Sequence, residues 1–423
     1  MKNRNALLIG LLCCALGTLG CSTPEKFTGL SYDPPGSTNT KSKPITTFHK
    51  RTIGAGSPTV WITNQFDGAR YHDFYAIGTD SFEIVIEPEN APINNSAWYA
   101  FSIWSDSVRS VHLHLTYRNG NHRYHPKIST DGNNWQDMDE SAIRPDTAGN
   151  GVWITLEVTE SPIWISAQEK ETTEEFEAWL EKLVSKEFIG VRQIGQSTKG
   201  RPIKELIIDA IPDYQKRNVL ILMSRQHPPE VPGYLTALYM IEELASTTAL
   251  ADSFRNAFEV RAYPFINPDG TDLGHWRHNA GGVDLNRDWK FFNQPEVAAI
   301  RDWLSPLTRD SLRQVVYGID FHSTNENIFY PILPEIKTQP DNLSQLWIPQ
   351  IQEAFPDILF SVEAFDVNAP ISKNWIYRTF GCDALTYEVD DAMPRNRLEE
   401  VARESARLLM KMLLDKRNLM KMP

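Results

Sequence analysis

Three places in this 423-residue chain carry side chains that could do chemistry together. His227-Pro228-Pro229-Glu230 follows an apolar run at 219–223. His322 ends a second run at 315–321, and Glu388 lies within a third at 384–389. Two imidazoles and one carboxylate make the donor set of an open catalytic zinc site, which leaves a coordination position for water. An isolated His-x-x-Glu also occurs by chance at the start of a surface helix. Further polar clusters lie before and between these groups: Ile194-Gly195-Gln196-Ser197, Gly200-Arg201-Pro202-Ile203, Asn267-Pro268-Asp269-Gly270, Trp276-Arg277 and Gly282-Val283-Asp284-Leu285-Asn286-Arg287.

Groups so far apart need a scaffold that brings them together. From about Glu169 the text alternates between strand-like and helix-like segments. Residues 171–188 place Phe176, Leu180, Leu183 and Val184 at three- and four-residue spacing, which predicts an amphipathic helix. Apolar strands are predicted at 219–223, 258–266, 315–321 and 384–389, with helices at 232–245 and 397–416. This alternation predicts an α/β domain whose mixed, largely parallel sheet is flanked by helices. In open sheets of that kind ligands gather beyond the carboxyl ends of the strands, so the three clusters can converge. Residues 46–168 differ. Short aromatic and β-branched runs at 59–63, 82–86, 98–104, 111–117 and 152–158 are separated by turn dipeptides such as Asp67-Gly68, Asn119-Gly120 and Asp131-Gly132. They predict a smaller antiparallel β-sandwich.

The ordered set Gly-Arg-Pro-Ile, His-x-x-Glu, Asn-Pro-Asp-Gly, Asp-Leu-Asn-Arg, His and Glu resembles a zinc carboxypeptidase of the M14 family over about 172–418. The β-rich segment before it resembles the amino-terminal domain of the cytosolic carboxypeptidase, deglutamylase-like branch, on Trp98-Tyr99-Ala100-Phe101 and the hairpin spacing. The resemblance implies one Zn²⁺ held by His227, Glu230 and His322, a ligand set shared with carboxypeptidase A. It implies that Glu388 acts as general base and then acid, and that Arg277 stabilises the oxyanion. Asn286 and Arg287 would grip the terminal carboxylate, to which a guanidinium fork is suited.

The chain also departs from the family. Pro229 stands where many members have Arg before the ligand Glu, and no Tyr occurs near Phe365-Asp366, where the family's mobile tyrosine falls. The position two before Trp375, which in digestive members lies in the pocket for the terminal side chain, is Lys373. An ammonium there would favour an acidic terminal residue, or another carboxylate-bearing one such as diaminopimelate. Asp320 is a candidate to orient His322. Asp288, Asp390 and Asp391 read as wall or surface charges, and His275 and His278 as residues of the cleft rim. His112, His114, His122 and His125 read as solvent-facing or packing residues.

Composition narrows the partners. The chain has 42 basic and 54 acidic side chains and a net charge of −12, which argues against nucleic acid. No apolar run reaches the roughly 18–20 residues of a membrane-spanning helix. Lys2 and Arg4 precede an apolar stretch at 6–19 and then Gly20-Cys21, which resembles a bacterial lipoprotein signal (residues 1–20), with Thr18 in place of the usual Leu. Cys21 would then carry lipid at the cell envelope, in the periplasm or on the outer membrane; an ordinary cleaved signal is the alternative. Residues 21–45, rich in Pro, Ser, Thr, Gly and Lys, read as a flexible tether. The expected substrate is a peptide or muropeptide with a free terminal carboxylate. Two other readings stand beside this one: an aspartoacylase-like zinc deacylase, whose branch appends a β-rich domain after the catalytic one, and a non-catalytic peptide-binding relative.

Overall fold

The computed structural model describes residues 39–211 and 215–416. Cys21, the signal and most of the expected tether lie outside the described residues. No described helix is long and apolar enough to cross a membrane.

Alternating burial builds the first domain. In Arg109–Tyr117, Val111, Leu113, Leu115 and Tyr117 point inward while Ser110 and His112 face out. Two sheets pack such inner faces together. One runs in space Thr52–Ala55, Val60–Thr63, Ala100–Ser105, Ile163–Ser166, Lys127–Ser129, Gln136–Asp137. The other runs Asp73–Ala76, Ser81–Ile86, Arg109–Tyr117, Val152–Val158, Ile143–Pro145. Their pairings are antiparallel, save that Ser81–Ile86 lies parallel to Arg109–Tyr117. Between those two strands the chain lays Ala100–Ser105 in the opposite sheet, and this crossover restores the strand direction.

The second domain is an eight-stranded mixed sheet. Its spatial order is Ile189–Gln196, Pro202–Ile208, Phe258–Tyr263, Arg217–Ser224, Arg313–Thr324, Asp383–Asp390, Asn327–Pro331, Phe360–Val362. The central four strands are parallel. They are covered on both faces, which is why 219–223 reads as an unbroken apolar run. Leu220 and Leu222 pack toward helices Val231–Leu244 and Arg395–Lys416, whereas Val219, Ile221 and Met223 pack toward Pro295–Leu304 and Ser372–Phe380. The outer strand Ile189–Gln196 is half exposed and lacks such a run, so periodicity did not reveal it. Helix Thr173–Leu183 opens with a Thr172/Glu175 capping box and buries Phe176, Leu180 and Leu183. Val184 falls beyond its end and is exposed.

The tether expectation needs correcting at its carboxyl end. Thr40 is buried: its carbonyl accepts Gln294 Nε2 at 2.8 Å and its hydroxyl accepts Asn293 Nδ2 at 2.9 Å, while Lys43 N donates to Gly281 O at 2.8 Å. Backbone and hydroxyl groups that composition treats as inert dock this segment on the second domain.

Candidate active site

Two parallel neighbours carry the first pair of functional groups. His322 in Arg313–Thr324 stands directly opposite Glu388 in Asp383–Asp390. Beyond the adjacent strand Arg217–Ser224 the chain turns at Arg225 (φ 57°) and reaches His227. Glu230 then occupies the position just before helix Val231–Leu244, with Pro232 in the first turn, where no amide donor is required. Gly233 lets this turn lie against the strand: a Cβ there would stand 2.3 Å from the His322 carbonyl oxygen. The close approach brings Glu230 to both imidazoles.

The donor atoms of His227, Glu230 and His322 lie within 4.8 Å of one another, and all three residues are buried. Glu230 Oε1 is 2.8 Å from His227 Nδ1, and Oε2 is 2.7 Å from His322 Nδ1. The opposite ring nitrogens are held by carboxylates, His227 Nε2 by Asp284 Oδ1 at 2.9 Å and His322 Nε2 by Asp320 Oδ2 at 2.7 Å. With a proton at Nε2 against its carboxylate, each ring would offer Nδ1 to a metal on the Glu230 side, which is the arrangement a metal-ligating histidine needs. Asp320 therefore does orient His322, as the sequence suggested. Asp284 does the same for His227, a role that the Asp-Leu-Asn-Arg motif contained but that spacing alone did not reveal.

The electrostatics favour a cation. Burial pushes the Glu230 carboxyl up, but His227 and His322 outweigh it and hold it well below the usual range. Burial pulls His322 down, yet Asp320 and Glu230 hold it well above the ordinary imidazole value. Asp284 is likewise kept ionised against burial by Arg277, His227 and Arg287. Glu388 behaves differently. Burial, reinforced by Glu230, raises it to about 7 against His322, His227 and Arg277. One carboxylate fixed as an anion for ligation and another able to take up a proton near neutrality form a usable division of labour. The donors, their geometry and the surrounding negative charge fit a zinc ion.

Arg277, Asn286, Arg287 and Glu388 line the same cavity of about 250 Å³ as the three donors. Arg277 Nε donates to Asp284 Oδ2 at 2.7 Å, and its Nη1 stands 3.6 Å from Glu230 Oε1. Asn286 accepts Ser372 N at 2.9 Å, and Arg287 Nη1 donates to Asn286 O at 2.8 Å. Tyr330, Phe365, Ile371 and Thr386 form the remaining wall beside Ser323 and Thr324. Phe365, in the stretch where the resemblance places the family's tyrosine, thus stands on the wall. Tyr330, from a neighbouring strand, packs edge-on against it with ring centroids 5.5 Å apart.

Lys373 does not line this cavity. It is fully buried in the first turn of Ser372–Phe380, its Nζ donating to Pro331 O at 3.1 Å and lying 5.8 Å from the Phe365 ring centre. Burial pulls its ammonium down to about 7 against the attraction of Asp383 and Asp366. Other expectations also change. Asp391 is no simple wall charge: it accepts both Nε and Nη2 of Arg123 and the Ser323 hydroxyl. Asp288 is buried and accepts Gln294 N. His275 and His278 sit in the interface between the domains rather than at the rim, with His278 Nδ1 2.6 Å from Asn90 Oδ1. Arg123 and Asn94, from loops of the first domain, reach the cavity. Nothing in their local sequence indicated this, because a domain contact leaves no periodic trace.

The family profile described as zinc carboxypeptidase matches residues 176–407, more than half of the chain. The chain belongs to the zinc carboxypeptidase family. Among individual members of that family, it is 25% identical over 210 residues to cytosolic carboxypeptidase 6 of Caenorhabditis elegans. The match covers 47% of this chain and 46% of that protein, so the chain spans about half the length of this relative. A metallo-carboxypeptidase structure from Burkholderia cenocepacia superposes with a TM-score of 0.68 at 20% identity, covering 84% of this chain and 99% of the other. A Pseudomonas aeruginosa metallo-carboxypeptidase, solved with (2-guanidinoethylmercapto)succinic acid, gives 0.64 at 19% identity, covering 85% and 100%. At these identities the likeness is one of fold. It extends over most of this chain and therefore includes its sandwich.

Proposed function

We propose that this chain is a zinc-dependent metallocarboxypeptidase that hydrolyses the carboxyl-terminal peptide or isopeptide bond of its substrates. The observation that carries this reading is the meeting of His227, Glu230 and His322 within 4.8 Å, with Glu388 facing His322 and Arg287 on the wall of the same cavity. His227, Glu230 and His322 would hold the zinc ion, which would supply a Lewis acid to polarise the scissile carbonyl and acidify water. Glu388 takes the proton from the attacking water and delivers it to the leaving amine. Arg277 donates hydrogen bonds to the oxygen that gains charge in the transition state. Asn286 and Arg287 hold the substrate's terminal carboxylate and so confine cleavage to the last bond. The decisive assay is hydrolysis of blocked and free-ended versions of one peptide by the zinc-loaded protein. Release of the last residue from the free-ended form alone supports the proposal, and equal cleavage of both overturns it.

An acidic terminal residue is the proposed preference. Its side chain would enter between Tyr330, Phe365, Ile371 and Thr386, toward the Lys373 amine behind that wall, which an entering carboxylate would keep protonated. The support is that burial has already stripped this ammonium of water and that Thr386 Oγ1 is buried without a partner among the described residues. Peptides differing only in a terminal Glu, Phe or Lys test it: faster release of Phe or Lys ends the idea, and Lys373→Met should erase an advantage for Glu. The proposed setting is the bacterial envelope, where peptides or muropeptides supply free carboxylates. It rests on Lys2, Arg4, the apolar stretch 6–19 and Gly20-Cys21. A Cys21→Ser variant should move the protein from the membrane fraction to the soluble one; an unchanged distribution rejects the anchor.

A further inference from the structure

Glu89 leaves the sandwich domain and ends, fully buried, under the loop that carries Arg277. Its Oε1 accepts the backbone amides of Arg277 at 3.0 Å and His278 at 2.7 Å, and its Oε2 accepts that of Trp276 at 2.8 Å. Consecutive amides that point at one spot form an anion-binding concavity. Here a carboxylate from the neighbouring domain fills it. Asn90 extends the grip, donating to Gly282 O at 3.0 Å and meeting His278 Nδ1. The Trp276 side chain is inserted into the sandwich core, its indole donating to Trp98 O at 3.1 Å.

The backbone of residues 276–278 is thus held on the sandwich side, while the Arg277 guanidinium meets Asp284 and approaches Glu230. The segment between helix Pro268–Asp272 and the turn Leu285–Arg287 has no regular structure of its own, so it lacks a ladder to fix it. A donor aimed at a developing oxyanion is effective only when its position is set before the reaction.

We propose that Glu89 is a positioning residue: its carboxylate, reaching in from the sandwich, fixes the backbone from which Arg277 addresses the reacting carbonyl. The inference rests on the proposed oxyanion role of Arg277. It gives the sandwich a part in catalysis, since removal of its Glu89 would leave the zinc donors intact and loosen the arginine.

The test is steady-state kinetics on the zinc-loaded full-length protein, comparing wild type, Glu89→Gln, Arg277→Ala, their combination and Ile103→Val, a sandwich-core control. The Glu89→Gln side chain would turn an NH₂ toward one of the three backbone amides. This variant is expected to lower kcat by ~10–100-fold, with KM changed by less than ~3-fold and zinc content unchanged. Ile103→Val should leave kcat near wild type. In the Arg277→Ala background, Glu89→Gln should cost nothing further, because the group it positions is gone. A wild-type kcat for Glu89→Gln, an equal loss in Ile103→Val, or a full additional loss in the Arg277→Ala background overturns the proposal. If Glu89→Gln does not fold, Glu89→Asp is read by the same criteria, since it keeps the charge and withdraws it by one methylene. An active Arg277→Ala would refute the oxyanion role and the clamp together. An inactive Arg277→Ala beside a fully active Glu89→Gln would refute the clamp alone.

Discussion

His322 and Glu388 stand opposite each other on adjacent parallel strands, so a proposed zinc ligand and the proposed base are set by one backbone register. A one-residue slip would turn either side chain to the other face of the sheet. The relation separates binding from proton transfer. Glu388→Gln keeps the shape and removes the basic oxygen. It should lower kcat by ~10²–10⁴-fold while retaining one zinc per chain. Metal analysis beside single-turnover hydrolysis checks this, and normal rates would show that the base is misassigned.

Asp284 links two functions, accepting His227 Nε2 through one oxygen and Arg277 Nε through the other. Asp284→Asn would present an amide that can orient only one of them correctly. Zinc affinity should fall by ~10–100-fold, the usual consequence of losing a group that orients a metal-bound histidine. Competition with a chelator measures this. An unchanged affinity would mean that the ring is held well enough without the carboxylate.

Gly233 permits the approach of helix Val231–Leu244 to the His322 backbone. The obstructing atom for any Cβ is backbone oxygen at 2.3 Å, which cannot rotate aside. Gly233→Ala should destabilise by roughly 1–3 kcal/mol despite the better helix propensity of alanine. It should also weaken zinc binding, because Glu230 and His322 are pushed apart. Denaturant midpoints with and without zinc would show both effects; a more stable variant would mean that the strand yields freely.

Glu89 predicts the acid behaviour of the domain contact. Burial raises its carboxyl, but His275, His278, Arg70 and the amide donors outweigh burial and bring it from 4.5 down to about 2. A carboxylate depressed in the folded state contributes stability above the unfolded value, and that contribution is lost as pH falls from 4.5 toward 2. Burial also lowers His275 and His278, the latter to about 4, so their attraction for Glu89 grows as pH falls, whereas Arg70 and the amides act throughout. Urea midpoints followed from pH 6 to pH 3 should fall more steeply for wild type than for Glu89→Gln. Parallel curves would show that this carboxyl titrates as an ordinary one.

The zinc donors were legible in the linear text because the chemistry demands particular residue types and the apolar runs before them mark strands. His-x-x-Glu alone is ambiguous, and the roles of His227, Glu230, His322 and Glu388 come from the resemblance of the ordered motif set to the family; the parallel centre of the sheet follows from local patterns, since its strands are apolar on both faces. The helix at Phe176 could be read for the same reason, since its burial repeats every three or four residues.

What lay outside that reach depends on contacts between distant segments. Lys373 shares its motif position with a pocket residue, yet its ammonium is turned to Pro331 O behind Phe365. Asp391 looked like a surface charge until Arg123 arrived from the other domain, and Thr40 looked like linker until Gln294 met it. Glu89 has no motif at all. Periodicity and composition report what a residue's own segment needs, whereas these side chains acquire their roles from partners that only packing of the two domains brings within hydrogen-bond distance.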